Sequence, residues 1–274
     1  MAIDARPFLP IAEHAVSIAG EIIKTKIVTA RGDRDSATAV GKAVEHALRE
    51  FLSREIPEIG FLGEKERVTR IGAGLMWALD SMGSAVNFLH GMPLCGVSLG
   101  LWHQDDAILG VIDLPFLDLR YTAARGFGAQ ANGSRIQISG VRDLEAAVVA
   151  VGDYVVGPDG PERNKPRLAV TRELAARAQR VRMFGSAAID LAWVADGKID
   201  ANIMLSNNQW DTAAGVAIAR EAGAVVVDVD GSPHTMTAYT TIAASPELVV
   251  DLLELVAEAR KSTGQCQYAA DYYL

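Results

Sequence analysis

The chain has 274 residues, a net charge of −8 and a hydrophobic share of 50%, which suits one large globular unit or two closely packed subdomains. The acidic balance and the lack of a basic stripe argue against binding to nucleic acid, which requires positive charge against phosphate. Two cysteines, Cys95 and Cys266, give neither a disulfide framework nor a zinc-binding spacing. The start, MAIDARPFLP, lacks a signal-peptide pattern and no uncharged apolar run is of membrane-spanning length, so we expect a cytoplasmic protein without membrane contact.

The first half of the chain combines helical and strand patterns. Apolar spacing predicts helices over residues 7–28 and 38–55, and a polar loop in ARGDRDSA, residues 30–37. Two short apolar runs each stop at a carboxylate, as buried strands at a cleft would, namely IGFLGE and GLMWALD. A β-hairpin is predicted in LCGVSLGLWHQDDAILGVIDLP, and further strands with Gly/Asn turns follow it.

The second half shows a different organisation. The most linker-like segment of the chain is PDGPERNKP, residues 158–166. From about residue 166 onward, helix-like and strand-like segments alternate. Such alternation predicts an α/β fold in which helices are layered on sheets.

Three carboxylates occupy comparable positions in this pattern. Glu64 in FLGEK and Asp80 in ALDSM end strand-like runs, and Asp211 in QWDTAAG opens a helix. Strand ends and helix starts of layered α/β folds meet at one cleft, and carboxylate oxygens are ligands that suit Mg²⁺. Each residue taken alone also fits a structural role, Asp211 as a helix N-cap and Asp80 as a turn residue.

Several motifs resemble those of one enzyme family. The segments GEKE, DSMGSAVNFLHGMP and WDTAAG are similar, in this order, to the signature motifs of the inositol monophosphatase family of Mg²⁺-dependent phosphatases. The resemblance covers about residues 10–250, and it implies a layered αβαβα sandwich. In that arrangement residues 1–140 form an α+β subdomain with the GEK and DSMGSA motifs, and residues 141–274 form an α/β subdomain with WDTAAG. The resemblance also suggests a homodimer that binds a small molecule.

The resemblance assigns roles to individual residues. It places metal ligands at Glu64, Asp80 and Asp211 and at the backbone carbonyl of Met82. The backbone N–H groups at the start of the helix after the turn would cradle a phosphate, since a helix N-terminus attracts anions without any particular side chain. The implied substrate-binding positions are Ser84, Ala85, Gly185, Ser186 and Met204.

The chain departs from the family pattern at positions that serve metal binding and water activation. These are Gly83 for an aspartate ligand, Ser84 for a glycine, Ala85 for the threonine that orients the attacking water, Gly41 for the aspartate that pairs with this threonine, Lys65 for a glutamate, and Met204 for the acid that holds substrate hydroxyls. Absence of both the threonine and its partner argues against efficient hydrolysis. The lysine and the missing aspartate argue against a second metal, so we expect one weakly held Mg²⁺ or none.

Three functions stay open, because the fold does not choose among them. The residues favour a repurposed enzyme in which Glu64, Asp80 and Asp211 transfer protons in a cyclisation, elimination or isomerisation, since clustered carboxylates raise at least one pKa. One alternative is a weak or altered Mg²⁺-dependent phosphatase of a small polyol, sugar or amino-alcohol phosphate. The other is a non-catalytic binding or regulatory protein, against which the three retained carboxylates argue.

Overall fold

The computed structural model describes residues 3–30, 34–65, 68, 69 and 74–263, which form two mixed β-sheets with helices packed against them. This architecture confirms the predicted α/β class. The described helices are α1 Leu9–Ala30, α2 Arg34–Glu55, α3 Ala85–Leu89, α4 Gly160–Arg177, α5 Ala187–Ala195, α6 Gln209–Glu221 and α7 Pro246–Ser262. The described strands are β1 Gly60–Gly63, β2 Leu75–Gly83, β3 Gly96–His103, β4 Asp106–Leu114, β5 Leu119–Ala124, β6 Ala129–Ala131, β7 Ser134–Ile136, β8 Val148–Val151, β9 Arg180–Arg182, β10 Ala201–Met204, β11 Val225–Val227 and β12 Thr241–Ala244.

The strand order of the two sheets decides which chain ends meet. In the described part of the chain, the first sheet runs in sequence order from β1 to β7, and only β1 and β2 pair in parallel. The second sheet has the order β11-β12-β10-β8-β9, with β8 parallel to both of its neighbours. Because the carboxyl ends of parallel strands meet at one edge, Glu64, which follows β1, lies at the edge where β2 also ends.

Helix α6 lies unusually close to the first sheet. A Cβ atom added at Gly100 of β3 would lie 2.5 Å from the Cβ of Ala213, and one at Gly110 of β4 would lie 2.2 Å from the carbonyl oxygen of Ala214. Both distances are well inside van der Waals contact, so only glycine permits this approach. The close packing fixes the first turn of α6, which contains Asp211, against the first sheet.

Two sequence predictions about local structure were wrong. Helix α2 begins at Arg34, so residues 34–37 of the predicted loop are helical. The segment 158–166 is not a linker, because α4 begins at Gly160 and continues through Pro166. Apolar residues of α4 are buried in the core beneath the second sheet, and this packing outweighs the local signal of proline, glycine and polar residues.

Strand β2 also differs from its prediction. It does not end at Asp80 but continues to Gly83, and the pairing register with β3 shifts between these two residues. An irregularity of this kind re-aims side chains next to functional sites. Asp80 therefore lies inside a strand rather than at its end, and its side chain is nearly buried.

The remaining elements follow the sequence pattern. The predicted hairpin is formed by β3 and β4, and the predicted helices around residues 7–28 and 38–55 correspond to α1 and α2. No described helix is long and apolar enough to cross a membrane. The C-terminal segment from residue 264 lies outside the described residues, and the subdomain boundary near residue 140 stays a prediction.

Candidate active site

One cavity of about 180 Å³ brings together the three carboxylates singled out in the sequence. Glu64 follows β1, Asp80 lies in β2, and Asp211 lies in the first turn of α6. The cavity is further lined by Ala37, Thr38, Lys65, Met82, Ser84 and Ala85. The first sheet, α2 and the first turn of α6 thus build one cleft from residues far apart in the chain.

Asp80 is the most buried of these carboxylates, with 8% of the residue exposed. Its Oδ1 accepts a hydrogen bond of 3.2 Å from the backbone N–H of Met82. Burial raises the pKa of Asp80 well above its ordinary range, and the charges of Asp211 and Glu64 raise it further. The positive charge of Lys65 acts in the opposite direction. A cation bound beside Asp80 would relieve this cost, and without one the site favours a protonated carboxyl group.

Asp211 combines a structural contact with its place in the cavity. Its Oδ2 accepts hydrogen bonds of 2.9 Å from both the backbone N–H and the side-chain amide of Asn208. Asn208 is the N-cap of α6, so the N-cap role predicted for Asp211 was wrong by three residues. Burial raises the pKa of Asp211, while the bonds from Asn208 lower it. Asp211 and Asn208 therefore form a capping box, which fixes the position of the Asp211 side chain at the N-terminus of α6.

Glu64 is engaged by its neighbour in the chain. The ammonium group of Lys65 forms an ion pair with the Glu64 carboxylate. The backbone N–H of Lys65 donates a 2.8 Å hydrogen bond to Oε2 of Glu45, a fully buried carboxylate of α2. The loop after β1 is thereby bound to α2 through its backbone, while the side chains of Glu64 and Lys65 line the cavity.

Ser186 lies next to Asp80 across the position of Gly83. A Cβ atom added at Gly83 would lie 3.0 Å from Oδ2 of Asp80 and 3.1 Å from Oγ of Ser186. Ser186 is the N-cap of α5, where its Oγ accepts a 3.5 Å hydrogen bond from the backbone N–H of Ile189. The absence of a side chain at Gly83 thus leaves a narrow space between a carboxylate and a hydroxyl group.

The turn before α3 is held in a left-handed conformation. Ser84 has φ 65° and ψ 67° and immediately precedes the helix. A Cβ atom added at Gly185 would lie 3.2 Å from Oγ of Ser84, so Gly185 borders this turn. The side-chain amide of Asn87 donates to the carbonyls of Leu94 and Phe184 at 2.8 and 2.7 Å. These bonds tie α3 to the segment that carries Gly185 and Ser186.

Met204, like Gly185 and Ser186, is not among the residues that line the 180 Å³ cavity. Only 3% of it is exposed, in β10, and it packs near Gly152, where an added Cβ atom would lie 3.4 Å from its Cγ. It belongs to the apolar core between the sheets rather than to the lining of the 180 Å³ cavity. The methionine side chain is apolar and has no group that would bind a polar ligand, so it is more stable in the apolar core than at the cleft.

Two acidic residues near the cleft were missed in the sequence. Asp153 follows β8, and its Oδ2 lies 3.6 Å from the position of a Cβ atom on Gly185. Asp190 of α5 is buried, and its Oδ2 accepts a 3.1 Å hydrogen bond from Asn202. Burial, and then the charge of Asp153, raise the pKa of Asp190 well above its ordinary range. Asp153 follows a buried strand as Glu64 does, and this shared pattern was the available signal.

The donor set fits one Mg²⁺ rather than a larger metal centre. Among the described residues, no three histidine, cysteine, aspartate or glutamate side chains are arranged to hold a metal ion together. With Glu64 paired to Lys65, Asp80 and Asp211 are the carboxylates left to a cation. Mg²⁺ commonly uses one or two carboxylates and completes its octahedron with water and phosphate oxygens. Their chemistry therefore suits a single cation shared with a phosphorylated ligand.

Comparisons with known proteins agree on one family. The family model for the inositol monophosphatase family matches residues 4–264. The chain is 32% identical over 256 residues to the probable inositol 1-monophosphatase ImpA of Mycobacterium tuberculosis, covering 90% of this chain and 94% of that protein. It is 30% identical over 259 residues to the Nus factor SuhB of Pasteurella multocida, covering 91% and 96%. The inositol monophosphatase structure from Anabaena superposes with a TM-score of 0.84 at 28% identity, covering 92% and 96%.

Proposed function

The chain belongs to the inositol monophosphatase family, and we propose that it is an altered Mg²⁺-dependent phosphatase that slowly hydrolyses a phosphate monoester of a small polyol, sugar or amino alcohol. The observation that carries this proposal is the single cavity in which Glu64, Asp80 and Asp211 lie opposite the turn at Ser84 and Ala85. Carboxylates that hold a cation next to a phosphate-binding turn are the parts that phosphate-ester hydrolysis requires.

Each group in the cavity has a specific task in this proposal. Asp80 and Asp211 would hold one Mg²⁺, which when bound neutralises charge on the phosphate oxygens. The backbone N–H groups of Ser84 and Ala85 would donate to the phosphate. Ser186 does not line the cavity, but its Oγ lies 3.1 Å from the position of a Cβ atom on Gly83, and its hydroxyl group would bind the alcohol part of a substrate that extends past this glycine.

The expected rate is low because water activation is poorly provided. Neither Ala85 nor Gly41 carries a group that could orient a water molecule, so a carboxylate of the cavity would have to accept the proton. Loss of a positioning or electrostatic group costs about 10²-fold or more in rate. We therefore expect turnover below ~1 s⁻¹, the lower end of the ordinary enzyme range.

The size of the cavity limits the substrate. Its volume of about 180 Å³ is small beside the roughly 300–1,000 Å³ of typical ligand pockets. A cation and a phosphate group account for most of that space, so the alcohol part of the ester must be small or extend into solvent. This favours short, hydrophilic phosphate esters over nucleotides.

Phosphate release from a panel of cyclitol, sugar and amino-alcohol phosphates tests the proposal. We expect slow release that requires Mg²⁺, stops with chelator and is lost in Asp80→Asn. The matched control is Asp105→Asn, which removes an exposed carboxylate at the β3–β4 turn and should leave the rate unchanged. Release by the wild type no faster than by Asp80→Asn, with every ester of the panel, would contradict the proposal.

A proton-transfer enzyme is the second candidate, and the raised pKa of Asp80 favours it. A protonated Asp80 beside a second carboxylate of the cavity would place an acid next to a base, which suits isomerisation or elimination. Isomerisation would consume the ester without releasing phosphate, whereas elimination would release phosphate together with an unsaturated product instead of the free alcohol, and neither reaction needs Mg²⁺. Nuclear magnetic resonance of the same panel, with chelator present, separates the two candidates by product.

A further inference from the structure

Lys65 lines the same cavity as the three carboxylates. It forms an ion pair with Glu64 in the cavity that Asp80 and Asp211 also line. Lys65 also lines the 180 Å³ cavity, and about a quarter of its side chain, 27%, is exposed. It is therefore a partly exposed cation that belongs to the lining of the cleft.

The fold provides room for this lysine and fixes its backbone. A Cβ atom added at Gly41 of α2 would lie 3.5 Å from Cε of Lys65, so the aliphatic part of the lysine passes over a helix position without a side chain. The backbone N–H of Lys65 is held by the buried carboxylate of Glu45. A side chain as large as aspartate at position 41 would compete for the same space, so Gly41 and Lys65 fit together as a pair.

The charges of the cavity define how many cations it takes. Three carboxylates and one ammonium group leave a formal excess of two negative charges, which a single divalent cation neutralises. In the cavity without a phosphate ligand, a second divalent cation would leave an excess of positive charge near the ammonium group. Repulsion between like charges at short range costs several kcal/mol at an effective dielectric constant of ~20.

We propose that Lys65 is a tethered cation that takes the place of a second divalent metal ion and binds the phosphate group of the ligand directly. This inference rests on the phosphate-ester site proposed above and identifies Lys65 as one of its phosphate-binding groups. Its ligand is a phosphate monoester dianion, to which an ammonium group donates charge-assisted hydrogen bonds. Unlike a metal ion, the lysine stays in the site when chelator is added.

Calorimetric titration tests this with two probes, Mg²⁺ alone and inorganic phosphate in the presence of chelator. Wild type should bind one Mg²⁺ per chain and should bind phosphate measurably without metal. Lys65→Gln should weaken phosphate binding at least about tenfold, the loss of one charge-assisted contact, whereas Lys65→Arg should keep it. Lys65→Glu should bind two Mg²⁺ per chain.

The controls separate the role of the lysine from general effects. Lys165→Gln removes a lysine that pairs with Glu162 on the surface, and it should change neither titration. Thermal unfolding checks that each variant is folded. Phosphate affinity of Lys65→Gln within twofold of the wild type, or no metal-free phosphate binding by the wild type, would overturn the proposal. If the wild type hydrolyses no ester of the panel but still binds phosphate through Lys65, the proposed function is contradicted and this inference stands.

Discussion

The backbone of Gly63 lies directly against the buried carboxylate of Glu45. A Cβ atom added at Gly63 would be 2.1 Å from Oε1 of Glu45, far closer than any two such atoms approach. The other oxygen of the same carboxylate accepts the N–H of Lys65. The Glu45 carboxylate of α2 therefore fixes the backbone at the end of β1, directly before Glu64 and Lys65, which line the cavity.

Gly63→Ala should destabilise the protein and displace both charged residues. Overpacking of this kind costs about 1–3 kcal/mol, which lowers Tm by several degrees in a chain of this size. The matched control is Gly140→Ala, because a Cβ atom there meets nothing within 4 Å. Thermal unfolding of both variants and Mg²⁺ titration of Gly63→Ala check this. A Gly63→Ala protein with the Tm and the Mg²⁺ affinity of the wild type would show that the loop is not fixed in this way.

Ser84 holds a left-handed backbone conformation that glycine adopts more easily. The left-handed region costs an ordinary residue about 1–2 kcal/mol, partly offset in glycine by the greater entropy of its unfolded chain. Ser84→Gly should therefore leave the free energy of unfolding unchanged or raise it by up to ~1 kcal/mol. Ser84→Ala keeps the conformational cost and should not stabilise. Urea unfolding measures both, and equal destabilisation by the two substitutions would contradict the expectation.

His234 should make the protein sensitive to acid. Burial, and then the charge of Arg220, lower the pKa of His234 from 6.5 to about 4, and a ring nitrogen lies 2.9 Å from Oγ1 of Thr241. The unfolded chain takes up this proton near pH 6.5 and the folded chain only near pH 4. Stability should thus fall between these values by about 3 kcal/mol and no further below them. His234→Gln should lack this part of the pH dependence, and identical slopes for both proteins would exclude the assignment.

Asp80 should change the stability in the opposite direction to His234, because its contribution is lost as pH rises. Because its folded pKa is raised above the ordinary 3.8, the stability linked to it is fully present below pH 3.8 and is lost as pH rises through the folded value. At neutral pH without metal, Asp80→Asn should raise the free energy of unfolding by about 1 kcal/mol or more, since asparagine avoids the cost of protonating this carboxylate, or of burying its charge, when the chain folds. Mg²⁺ should raise the Tm of wild type but not of the variant. A lower Tm for Asp80→Asn without metal would contradict this account.

Much of the fold was readable from the sequence, because local signals and packing agree there. The helix α6 is an example, since an aspartate followed by small residues predicts a helix there, although its N-cap Asn208 was not recognised in the sequence. The segment 158–166 was misread because its prolines and glycine are typical of loops. Pro161, however, stands in the first turn of α4, where proline is well tolerated, and the helix is held by its buried face.

The sequence predicted that three carboxylates share one cavity, but it did not predict the geometry of that cavity. Glu64, Asp80 and Asp211 line one cavity, as the motif order indicated. The irregularity that carries β2 past Asp80 leaves no trace in the residue pattern, since it depends on pairing with a distant strand. The pairing of Lys65 with Glu64 above Gly41 likewise depends on how α2 packs under the loop. Tertiary contacts decided both features.

Restoring the groups that the family resemblance expects should convert this site into a faster phosphatase. The triple variant Gly41→Asp, Gly83→Asp and Ala85→Thr would supply a metal ligand and a pair that orients water. A Cβ atom at Gly83 would lie 3.0 Å from Oδ2 of Asp80, and one at Gly41 would lie 3.3 Å from Oγ of Ser81 and 3.5 Å from Cε of Lys65. The new aspartates therefore require small shifts of these side chains, and the flexible Lys65 must move away from position 41. Ala85 is exposed to the cleft and has space for threonine.

Phosphate release from the same ester panel should rise at least about 10²-fold in the triple variant. Each single substitution should give much less, because groups that act as a unit are not additive. Adding Asp80→Asn to the triple variant should abolish the gain, which shows that the new activity uses this cavity. Lys65→Glu should increase the gain further, since it removes the charge that opposes a second metal ion. A folded triple variant that binds Mg²⁺ yet hydrolyses no faster than the wild type would mean that these positions do not limit the reaction.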